Sequence, residues 1–161
     1  IRDKTRHDLH RSLVGSEIDS RDSTGSYKWY RGVALWNTAY FAPANNDNML
    51  KLEAHSNDRI SLLPSTRTGY NKWKGGVALG NTAYFAPANN DNVLKLEADN
   101  IARISFQPHP QTGYNKRQSI LALENTSYFA PSNNAHILKL PAAHLSLMHI
   151  LHSRSHPTSP I

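Results

Sequence analysis

The sequence predicts an all-β protein made of three copies of one four-stranded antiparallel meander, and three observations carry that reading. The twelve residues "NTAYFAPANNDN" stand at Asn37–Asn48 and again, unchanged, at Asn81–Asn92. A step of 44 residues aligns Tyr40, Tyr84 and Tyr128, Pro43, Pro87 and Pro131, and Gly25, Gly69 and Gly113. Each copy then breaks into short runs rich in β-branched and aromatic residues, bounded by Gly, Asn, Asp or Pro, which is how strands are written.

The second copy shows the elements most clearly. "WKGGVAL", "TAYFAPA", "NVLKLEA" and "ARISFQP" are its four expected strands. Gly80-Asn81 suits a tight hairpin, because both residues tolerate positive φ. "ANNDN" at Ala88–Asn92 suits a longer turn closed by Asn and Asp side-chain hydrogen bonds. Apolar spacing of three and four residues is not sustained ahead of the C-terminal tail, so helices are not expected. Tyr84 is placed in the second strand of its copy, with its ring against neighbouring sheets.

The copies have diverged unequally. Between Gly32–Ala54 and Gly76–Ala98 only Trp36/Gly80 and Met49/Val93 differ over 23 positions. The third copy has drifted, with Glu124, Ser127, Ser132, Ala135, His136 and Pro141 replacing their counterparts and Arg117 standing where Trp29 and Trp73 stand. The organisation expected is an N-terminal extension over 1–24, repeats over 25–68, 69–112 and 113–142, and a polar C-terminal tail over 143–161. The third repeat lacks a recognisable fourth strand; Leu13–Ile18 or His144–Ile150 are the segments available to supply one.

Composition narrows the chemistry. The chain has 161 residues, no cysteine and a formal net charge of +6. Disulfides and thiol chemistry are therefore excluded. The basic residues are spread among acids, with residues 26–69 summing to +2, 70–113 to +1 and 114–161 to +3. That dispersal predicts a solvated surface and no specific nucleic-acid partner. No run approaches the roughly 18 apolar residues of a membrane span, so no membrane partner is expected.

A four-stranded meander repeating every 40–45 residues or so is the pattern of β-propeller blades. "GGVALGNTAYFAPANNDNVLKLEADNIARIS" resembles the blades of YVTN-type propellers, and more closely the W-x-G-G-V followed by Y-F-x-P propeller repeats. The resemblance covers about Gly25 to Ala142 and departs from the YVTN pattern at Phe41-Ala42-Pro43, where proline takes a strand position. It implies a fold and leaves function to the site. Propellers close with about four to eight blades, so three copies make a partial propeller. A fragment of a longer propeller is the first expectation, and two chains completing a six-bladed ring the second.

In a propeller the loop between blades and the turn between strands two and three open on the same face. That brings "TGYNKW" and "PANND" to one mouth of the channel, giving a candidate ligand ring of Trp29, Asn45, Asn46, Asp47, Tyr70, Lys72, Trp73, Asn89, Asn90, Asp91, Lys116, Asn133 and Asn134. Aromatic faces, ammonium donors and amides suit a protein, peptide or glycan ligand. The competing reading makes the tryptophans packing groups and the asparagines turn formers. Asp47 and Asp91 offer too few oxygens for calcium. His149, His152 and His156 have the spacing of helical zinc ligands, in a serine- and proline-rich setting that disfavours a helix. Asn125-Thr126-Ser127 is a lone glycosylation sequon.

Catalysis finds little support, because no nucleophile elbow or phosphate loop is present. Glu53 and Glu97 are repeat-equivalent, and a general acid and base need unlike environments. The expectation is a non-catalytic binding or scaffold module without a cofactor or metal. Its rivals are a self-assembling lectin-like ring and a fragment of a lactonase-like or hydrolase propeller enzyme.

Overall fold

The computed structural model describes residues 25–54, 59–99 and 101–142. These residues are all-β, and no helix occurs among them. The first sheet comprises β1 (Trp29–Leu35), β2 (Thr38–Pro43), β3 (Asn48–Glu53) and β4 (Arg59–Pro64). The second comprises β5 (Trp73–Leu79), β6 (Thr82–Pro87), β7 (Asn92–Ala98) and β8 (Ala102–Pro108). The third comprises β9 (Arg117–Leu123), β10 (Thr126–Pro131) and β11 (Leu138–Pro141). Each is an antiparallel meander in chain order, and the sheets do not close into a barrel. Such a set of sheets is consistent with a partial propeller.

The third sheet therefore has three strands among the described residues, where a four-stranded copy was expected. Both segments proposed for its missing strand, and the histidines at 149, 152 and 156, lie outside the described residues. β11 is also short, four residues against six in β3 and seven in β7.

The hairpins between first and second strands refine the expectation for Gly80-Asn81. Only the first turn residue takes positive φ, 59° at Gly80, 55° at Trp36 and 52° at Glu124. Asn81 does not, so one left-handed residue suffices to turn the chain. Glycine adopts that conformation without strain, whereas Trp36 and Glu124 carry a Cβ into it.

Pairing register puts alternate residues on opposite faces, and those faces build the core. Val33, Leu35, Tyr40, Ala42 and Met49 of the first sheet pack against Trp73, Ala83, Phe85, Leu94 and Leu96 of the second. The opposite face of the second sheet, with Tyr84, Ala86 and Val93, packs against Phe129 of the third. Tyr84 is 2% exposed in β6, in the strand and the environment expected for it. Among the described residues the second sheet is thus buried on both faces, and each outer sheet more deeply on one than on the other.

The first strands β1, β5 and β9 lie side by side, so the three sheets fan out from a shared line. Each first strand is bulged near its start, between Trp29 and Gly32, between Lys74 and Gly76, and opposite Ala130 and Pro131. A bulge adds a residue and redirects its side chain. Gly75, at φ +61°, is the extra residue in β5, and a Cβ there would meet the Gln118 carbonyl at 3.1 Å.

Candidate functional site

The two segments assigned to one mouth do meet. Within a repeat, the Ala88 N–H donates to the Lys72 carbonyl at 2.9 Å, and between repeats the Lys72 and Lys116 N–H groups donate to the Ala44 and Ala88 carbonyls. Tyr27, Asn71 and Asn115 occupy equivalent left-handed positions there, at φ 52°, 47° and 48°. The first asparagine of each "ANND" uses this geometry to bridge repeats. Asn45 Nδ2 donates to the Ser26 carbonyl of its own repeat, and its Oδ1 accepts the Asn71 N–H of the next at 2.8 Å. Asn89 does the same with the Tyr70 carbonyl and the Asn115 N–H. Asn133 holds the Tyr114 carbonyl at 3.2 Å.

The lysines are part of the same latch. Lys72 is 1% exposed, and its ammonium donates to the carbonyls of Ala44, Asn46 and Gly69 at 3.1, 2.8 and 3.0 Å, with Asp47 3.8 Å away. Burial lowers its pKa below the ordinary value, and the nearby Asp47 carboxylate opposes that shift. Lys116, fully buried, reaches the Gly113 carbonyl at 2.7 Å and Asp91 at 3.2 Å. An ammonium surrounded by carbonyls compensates a buried charge through hydrogen bonds, which is the condition for burying one at all.

The remaining members of the expected ring divide in the same way. The indoles of Trp29 and Trp73 donate to the Asn48 and Asn92 carbonyls at 2.9 and 2.8 Å. Trp73 is fully buried and stacks on Phe106, centroids 5.8 Å apart, so its face is closed to a ligand. Asn46 and Asn90 accept the N–H two residues on, as turn formers do. Asn134 Nδ2 is buried without a partner in the drifted third copy. Of the expected ring Tyr70 projects into solvent at 76% exposure, and Asp47 and Asp91, each beside its buried lysine, keep side chains 60% and 65% exposed.

Arg117 explains how the third repeat does without tryptophan. Its guanidinium, 2% exposed, donates to the His136 carbonyl, the counterpart of the Asn48 and Asn92 carbonyls that the indoles reach. Its Nε donates to His109 Nε2 at 3.2 Å, so the neutral His109 carries its proton on Nδ1, against the Gln111 carbonyl at 3.0 Å. Burial, with Arg117 and Lys116 adding to it, holds the His109 pKa below its ordinary value.

A different group of residues is open. Beside the three bulges lies a cleft of about 370 Å³ lined by Tyr30, Arg31, Lys74, Gly75, Gln118 and Ser119. Tyr30, Lys74 and Gln118 are themselves 44 residues apart, one from each first strand. The Lys74 ammonium sits 5.6 Å from the Tyr30 ring centroid and donates to Asn115 Oδ1 at 3.2 Å. Two cations and no carboxylate line the cleft. The 44-residue step could have revealed these positions, but the three residue types differ and so disappear in a search for identity.

At the other end of the sheets a second hollow, of about 430 Å³, is lined by residues including Tyr84, Lys95, Glu97 and Asn125. Lys95 donates to Glu97 at 2.6 Å and holds its carboxyl below the usual range, while Lys51 and Glu53 form the matching pair in the first sheet. The two glutamates thus sit in like surroundings. Among the described residues no three His, Asp or Glu side chains converge on a point. No protein-family model, curated protein or solved structure matches the chain.

Proposed function

We propose that the chain is a non-catalytic binding and scaffold module built from propeller-type repeats, and that it takes a carboxylate-bearing peptide segment in the cleft between its first strands. The observation that carries this reading is the composition of that cleft. Arg31 and Lys74 supply positive charge, Gln118 and Ser119 supply short hydrogen-bonding groups, Tyr30 supplies an aromatic face, and no acid competes for the cations. Arginine forks match carboxylates in two bonds, and a concave, cationic wall raises the local concentration of anions. The mouth residues contribute as scaffold, holding the three first strands at a fixed spacing.

The likeness of the repeats supports the non-catalytic part of this reading. Glu53 and Glu97 are each bound to a lysine of their own strand, so neither is set apart as acid or base. Fluorescence-polarisation titration of a labelled glutamate hexapeptide tests the reading, with a lysine hexapeptide and a neutral glycan as controls. Saturable binding that weakens with salt and is lost in Arg31→Glu and Lys74→Glu is expected. Equal binding of the lysine peptide, or binding indifferent to both substitutions, refutes it.

A further inference from the structure

The second sheet shows how each face of a repeat is used. Trp73, Phe85, Leu94 and Leu96 are fully buried against the preceding sheet. Their counterparts in the first sheet, Trp29, Phe41, Leu50 and Leu52, are only half-buried, and Leu62 shares their face. The opposite faces show the reverse. Val33 and Leu35, at 7% and 4% exposure, are covered by the following sheet, whereas their third-sheet counterparts Leu121 and Leu123 stand at 56% and 61%, with Ile137 beside them at 60%. Among the described residues the chain therefore carries two unpartnered apolar faces of opposite kind, and each is the type that mates with the other inside the chain.

The polar latch is divided the same way. Lys28 corresponds to Lys72 and Lys116, yet among the described residues its ammonium meets only the ring of Trp29, 5.6 Å away. The groups such a lysine would reach are the carbonyls of Ser132 and Asn134, at the far end of the chain. Asn133 already holds its own repeat, and the Tyr27 N–H is the counterpart of the amides that Asn45 and Asn89 bind. The shapes correspond too. A Cβ at Gly76 would lie 2.5 Å from Val33, so a glycine there admits the neighbouring sheet's side chain, and Gly32, the same position in the first sheet, meets only its own Phe41. Leu121, the counterpart of Val33, is the side chain left to enter it.

We propose that the third sheet of one copy docks head to tail on the first sheet of a second copy, and that two copies close into a ring of six sheets. A head-to-tail contact either closes or grows without limit, and six sheets fall within the four to eight or so that close. Closure covers both faces of both chains, which exposed apolar sheet faces of this kind require. The assembly does not depend on any ligand in the cleft between first strands.

Light scattering coupled to size exclusion on the full chain tests it. The wild type is expected at twice the 18.0 kDa of one chain. Leu123→Glu and Leu62→Glu are each expected as a folded monomer, because each destroys one of the two mating faces. Mixed together they are expected to pair again, through the intact third sheet of the second variant and the intact first sheet of the other. If circular dichroism shows that Leu62→Glu does not fold, Lys28→Glu replaces it. A monomeric wild type, masses beyond two copies, a dimer that survives Leu123→Glu, or a mixture that stays monomeric overturns the proposal.

Discussion

Replacing Lys72 by methionine separates the two energies that meet at the latch. Methionine keeps the length and most of the volume of the stem and deletes the ammonium, so the change is felt at the carbonyls of Ala44, Asn46 and Gly69. Ala44 keeps the Lys72 N–H as a donor at 3.2 Å, and Gly69 is exposed, so water replaces part of its loss. The half-buried Asn46 carbonyl bears the largest penalty. A buried acceptor left without its donor costs about 1–3 kcal/mol, and removing a buried charge returns some desolvation energy, which leaves a net loss of about 2 kcal/mol. For a domain of this size that lowers Tm by about 8 °C. Thermal unfolding followed by circular dichroism reads it, with Arg103→Met, whose side chain is 69% exposed, as the control, expected within about 0.5 kcal/mol of wild type. A Lys72→Met protein as stable as wild type, or more so, would refute the latch as a stabilising device and leave desolvation as the larger effect.

Two further outcomes follow from the third sheet. Ser127 is fully buried with an unpartnered hydroxyl, where Ala39 and Ala83 stand in the other copies, so Ser127→Ala is expected to stabilise by about 1 kcal/mol in urea titration; a loss of stability would mean that the hydroxyl has a partner in solution. The depressed pKa of His109 means that the folded state prefers it neutral, so its contribution is complete above the ordinary value of 6.5 and declines as pH falls below it. Melting curves between pH 7 and 5 are expected to fall more steeply in wild type than in His109→Gln, and equal slopes would exclude His109 as their source.

Strands were legible in the residues because each is short, β-branched and punctuated. β5 and β6 coincide with "WKGGVAL" and all but the last residue of "TAYFAPA", and "NVLKLEA" and "ARISFQP" are β7 and β8. The propeller resemblance placed the loop and turn segments side by side, and the Lys72 N–H donates to the Ala44 carbonyl between them. Their purpose was not legible. A lysine, an asparagine and a tryptophan in a loop look alike whether they await a ligand or join two sheets, because sequence gives the donor and not the acceptor.

What the sequence by itself determined, then, was local: the strands, their turns and the period that makes three sheets from one plan. The tertiary structure decided which face each sheet hides. Lys72 is buried because the next repeat's backbone stands opposite the previous repeat's carbonyls, and Arg117 replaces an indole because both reach the same carbonyl position. Leu35 and Leu123 occupy equivalent positions in the repeat, yet one is 4% exposed and the other 61%. The difference is the presence or absence of a neighbouring sheet, since burial belongs to the pair of surfaces and not to the residue.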